Sequence, residues 1–171
     1  MNTKEIATSQ FCASLEMLKE AITRCPQGEW TNPEPKNKFW HIAYHTLFYT
    51  HMYLQESEKQ YVPWDKHREQ YQFMGPLPWP PHNVPVIGEP YTKDEVIEYW
   101  NICRKQVQPH ISSLDLEAGS GFPWLPFNKL ELQFYTIRHI QHHTGALIDR
   151  LRTRHNIGIA WVRMMASEQA P

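Results

Sequence analysis

The stretch Lys36–Glu56, KNKFWHIAYHTLFYTHMYLQE, is apolar or aromatic nearly all round when wound at about 100° per residue. That pattern predicts a helix over about 37–56 that packs on several sides, so the rest of the chain must supply its neighbours. Residues 3–25 read as one, because Phe11, Leu15, Leu18, Ile22 and Cys25 recur at the four-three-four-three spacing of a single apolar stripe. Cys25-Pro26 and Gly28 end it, and Asn32-Pro-Glu-Pro35 makes a stiff connection. A further helix opens on the capping box Thr92-Lys-Asp-Glu95 and runs to about Gln108, with Val96, Trp100, Cys103 and Val107 in one stripe and Pro109 ending or kinking it. The last starts near Asn128, with Glu131 completing a cap-like pair. It continues to about Arg154, with Leu130, Phe134, Ile137, Thr144, Ile148 and Leu151 as its main stripe. A short tail, IGIAWV (157–162), returns an apolar patch with Trp161 to the helices. No strand signal competes. The expectation is an all-α, up-and-down four-helix bundle, with residues 1–171 as a single domain.

Residues 57–91, between the second and third helices, differ in kind. They hold seven of the fourteen prolines together with Tyr61, Trp64, Tyr71, Phe73 and Trp79. The run GPLPWPPHNVP cannot sustain a helix or a central strand. A disordered linker would be poor in aromatics. This segment therefore reads as an ordered excursion packed on the helices, and a loop of that length in a compact domain is more often a lid or binding loop than a spacer. Gly119, Gly121, Pro123 and Pro126 mark a second loop, which Trp124 gives something to bury.

Composition narrows the partners. At 20.3 kDa, with 17 Lys+Arg against 18 Asp+Glu and a formal charge of −1, the chain offers nothing that rewards nucleic acid or an anionic membrane. No apolar run approaches the ~18–20 residues of a spanning helix, and the start, Met1-Asn-Thr-Lys-Glu, lacks the apolar core of a signal peptide. Cys12, Cys25 and Cys103 are an odd number without Cys-x-x-Cys spacing, which suits buried thiols in a reducing cytoplasm.

The chain also has ten histidines, and six lie in two short segments. His41 and His45 on the second helix, like His139 and His143 on the fourth, are four apart and project from one face. His51 lies on a different face, and His142 points to solvent. His67, His82, His110 and His155 have no spacing partner; His82 lies in the Pro/Trp-rich loop and reads as a surface residue. A histidine pair on one helix plus a histidine on a neighbour is a way for a bundle to set three imidazoles around a metal, leaving positions open for water or substrate. Each histidine taken alone reads as an ordinary hydrogen-bonded side chain.

The stretches AYHTLFYTHMYL (43–54) and RHIQHHTGAL (138–147), with the capped third helix and the Trp-Val after the last, resemble the DinB-like (DinB/YfiT-type) metalloenzyme family over essentially the whole chain. The resemblance implies a bundle of the DinB type, a homodimer, and a divalent metal, nickel or zinc, held by three histidines. Matched to the motif, His139 and His143 are the ligands of the fourth helix and His45 that of the second, with His41 as the alternative one turn earlier. It further implies a small-molecule substrate, and the superfamily's thiol-dependent transferases, isomerase and synthases point to a low-molecular-weight thiol. One departure stands out: related sequences often carry an acidic residue where this chain has His51. Glu56, Asp65 and Glu69 are the available carboxylates, and nothing in the sequence selects one. The resemblance thus implies a metal-dependent enzyme activating water or a thiol (a thiol S-transferase or a hydrolase). Beside it stand a non-catalytic metal or small-molecule binding module and a purely structural dimer.

Overall fold

The computed structural model describes residues 2–165, which form five α-helices and no strand. They are α1 (Thr3–Arg24), α2 (Gln27–Trp30), α3 (Phe39–Tyr53), α4 (Lys93–Ser113) and α5 (Lys129–His155), with a 3-10 turn at Glu58–Gln60. α1 and α3 each pack against both α4 and α5, so the core lies where the four long helices meet. Phe11, Leu15, Tyr44, Leu47, Tyr99, Cys103, Ile140 and Leu147 are all inaccessible to solvent there.

Local chemistry sets the ends. Asn2 and Glu5 form a reciprocal capping box at α1, and Thr92 and Glu95 form another at α4. The Asn128 side chain accepts from the Glu131 amide at the start of α5, and Asn156 closes that helix in the left-handed region at φ 54°. Nothing caps α3 through a side chain; burial of most of its residues holds it.

Three expectations are corrected. The second helix is shorter than 37–56, and Glu56 lies beyond its end. One element is added to those expected: α2, a single turn carrying the buried Trp30, precedes the Asn32–Pro35 connection, which is free of helix. α4 runs through Pro109 to Ser113, because proline forfeits one amide bond while fully buried Ile111 extends the apolar stripe past it. The buried face of α5 comprises Leu132, Gln133, Thr136, Ile140, Thr144, Leu147 and Leu151, whereas Phe134 is 57% exposed and Ile137 and Ile148 are half-buried.

The excursion between α3 and α4 is ordered and packed in its first part. Trp64 and Tyr71 are buried, with Trp64 stacked on Tyr99 at 4.5 Å between ring centroids. Trp79, Val84 and Val86 are exposed. Beyond α5, Ile157 and Ile159 pack on the core, while Trp161 faces solvent. None of the three cysteines forms a disulfide, all three are buried, and burial pushes the Cys25 thiol up to about 12. No helix among the described residues is long and apolar enough to cross a membrane.

Candidate metal centre

Where α3 crosses α5, three imidazoles converge. The ligand-capable nitrogens of His45, His139 and His143 all lie within 4.8 Å of one another. His139 Nε2 stands 3.2 Å from His45 Nε2 and 3.1 Å from His143 Nε2. Two nitrogens each about 2.1 Å from one ion, at angles of about 90–110°, are about 3.0–3.4 Å apart. The observed separations fall in that interval.

The outer nitrogens show how the rings are set. His45 Nδ1 donates to the carbonyl of Gln72 at 2.6 Å, which leaves Nε2 as the lone-pair nitrogen facing the cluster. Its neighbour one turn earlier is used differently: His41 Nε2 donates to the carbonyl of Tyr71 at 2.7 Å. Two consecutive carbonyls of the long loop thus take hold of the two histidines of α3, and only His45 keeps its Nε2 free for the cluster. His139 Nδ1 is buried without a partner.

Protonation fits the same arrangement. Burial pushes His45 and His139 down to about 3 and His143 down to about 4, so all three rings are neutral at pH 7. Neutral rings cannot turn both short contacts into hydrogen bonds. His45 Nε2 has no proton, so His139 Nε2 must donate to it, and then has no lone pair to accept from His143. A cation between the three nitrogens uses every lone pair at once. The donor set therefore fits a divalent ion.

Beside the imidazoles lies a cleft of about 310 Å³ lined by His45, Tyr49, Tyr53, Trp124, Tyr135 and His139. Its walls are aromatic because the histidines extend into tyrosines at helical spacing: His45, Tyr49 and Tyr53 on α3, and Tyr135 and His139 on α5. No carboxylate lines it.

The other histidines fall outside the cluster. His51 is buried, with Nδ1 3.2 Å from the Tyr99 hydroxyl and Nε2 3.2 Å from Gln106 Nε2. His142 is exposed, as its position on the helix predicted. His82 is exposed at the loop tip. His67 bonds the Tyr44 hydroxyl, and His155 bonds the buried carboxylate of Glu29. Glu56 lies at Lys129, 3.8 Å between carboxylate and ammonium, rather than at the cleft. The elements that sequence reasoning missed are the Tyr71 and Gln72 carbonyls, which no side-chain pattern announces, and the tyrosines, whose four-residue spacing from His45 and His139 was there to be read.

The model of the DinB superfamily matches residues 10–147. No curated protein and no solved structure matches the chain. The match covers most of the sequence, and the chain belongs to the DinB superfamily.

Proposed function

From membership of the DinB superfamily we propose that this chain binds a divalent metal ion, nickel or zinc, through His45, His139 and His143 and uses it to activate water or a thiol. The observation that carries this is the convergence of three neutral imidazoles, one of them oriented by a backbone carbonyl, beside an open cleft. When bound, such an ion lowers the pKa of a water or thiol and supplies hydroxide or thiolate at neutral pH. The chain's own part is to hold the three nitrogens, keep them unprotonated by burial, and offer an aromatic wall to a small organic substrate. The superfamily tilts the choice towards transfer of a low-molecular-weight thiol to an electrophile, with hydrolysis as the other use of the same site. In the same reading the four long helices are the up-and-down bundle of the DinB type, and the working form is a cytoplasmic homodimer.

A second reading has a specific observation behind it. The cleft contains no carboxylate, and position 51 carries a histidine tied to Tyr99 and Gln106, away from the imidazoles. A site without a strong base suits a metal or small-molecule binding module on the same helices.

Elemental analysis of protein purified without a histidine tag tests the site. About one ion per chain is expected for the wild type, and less than about a tenth of an equivalent, unrestored by added metal, would overturn the ligand set. An S-conjugation assay with low-molecular-weight thiols, with and without metal, then separates enzyme from binding module.

A further inference from the structure

A second and larger cleft, of about 420 Å³, is lined in part by His41 and shares no lining residue with the cleft beside the imidazoles. Its volume is in the range of small-molecule sites. One wall comes from the start of α3 and the connection before it, the other from the long loop. Trp40, Phe73, Met74, Val84, Ile87 and Pro90 make it largely apolar. Gly88 brings the loop in closely: a Cβ there would meet the Tyr71 hydroxyl at 2.8 Å.

The charged residues of this cleft are of one sign. Lys36 and Lys38 line it and no aspartate or glutamate does, although the chain as a whole carries −1. Neither ammonium forms a hydrogen bond or an ion pair with a described residue. The cleft lies at the N-terminal end of α3, whose amides no side chain caps, and the positive end of that helix adds to the field of the two lysines. An apolar trough with two unpaired cations at one edge is complementary to a molecule with an apolar body and a single anionic head.

We propose that this cleft is a binding site for a small amphipathic organic anion, its carboxylate at Lys36 and Lys38 and its apolar body between Trp40 and the Phe73–Met74 and Val84–Ile87 segments of the loop. The site is separate from the metal centre, so it stands whether or not the three histidines hold an ion.

Calorimetric titration of the full, metal-free, untagged chain with octanoate, 1-octanol and octylamine tests the assignment. Octanoate binds one per chain and at least about tenfold more tightly than either neutral or cationic probe. The double variant Lys36→Gln/Lys38→Gln weakens octanoate about tenfold and leaves 1-octanol unchanged. Gly75→Phe, at a lining position where an added Cβ meets no heavy atom within 4 Å, blocks both probes. In the wild type, octanoate shifts the amide resonances of residues 36–41 and 73–88. Equal affinity for octanoate and octanol, an unchanged lysine variant, shifts confined to another surface, or no octanoate binding at about 10 mM would each overturn it. The amide map reads the wild type alone, so it decides the question even if a variant fails to fold.

Discussion

The histidine pairs of α3 and α5 share the same four-residue spacing and have different fates. His139 and His143 both turn their Nε2 atoms into the cluster. His41 and His45 are divided by the loop that crosses them, because Tyr71 takes the Nε2 of one and Gln72 takes the Nδ1 of the other. Spacing along a helix fixes which side chains share a face; what lies against that face decides which ring atom each can offer. The pair on α5 converges on the cluster as a unit. On α3 one histidine is a candidate ligand and the other an anchor for the loop.

The largest effect that could break this contrast is loss of the ion. His143→Ala, His139→Ala or His45→Ala should each lower metal content from about one equivalent to below about a tenth, read by elemental analysis. His41→Ala should leave metal content near wild type but cost about 2–4 kcal/mol of stability, because it empties buried space and strands the Tyr71 carbonyl. Denaturant unfolding of the metal-free proteins measures that loss, and a drop in metal content would contradict the anchor role.

Next comes a pH effect from a histidine outside both pairs. Burial pushes His51 down to about 4, below the ordinary value of about 6.5 of the unfolded chain. The unfolded state then binds the extra proton, so the stability His51 contributes is fully present above about pH 6.5 and is lost as pH falls towards 4. At pH 5 the loss amounts to about 2 kcal/mol, and His51→Gln should flatten the dependence by that amount in unfolding measured at pH 7 and pH 5. The smallest effect belongs to His142→Ala. This exposed neighbour of the α5 pair should change stability by less than about 0.5 kcal/mol and leave metal content unaltered.

Much of this was legible in advance, for identifiable reasons. The α4 start could be read because Thr92 and Glu95 write their capping box in side chains, and the α5 pair because both members lie on one element. The Asn2–Glu5 box has the same form and went unread at the head of the chain. The buried face of α5 departs from the apolar stripe because some of its buried residues are polar and donate back to carbonyls of their own helix. Thr136 donates to the Leu132 carbonyl and Gln133 to that of Lys129, so burial leaves no hydrophobic trace. Apolar Phe134 then drew the stripe the wrong way. His45 emerged ahead of His41 only through family resemblance, since the atoms that separate them belong to the main chain of a distant loop.

That the loop grips through its main chain has a consequence for variation. Every residue type carries the same carbonyl, so changes to the side chains of positions 71 and 72 leave the acceptors for His41 and His45 in place wherever the local backbone path is kept. The loop positions that line the second cleft, Phe73, Met74, Gly75, Val84 and Pro90 among them, carry neither acceptor, so their drift leaves the orientation of His45 insulated. A new specificity could be tried on one side of the loop without first rebuilding the site on the other.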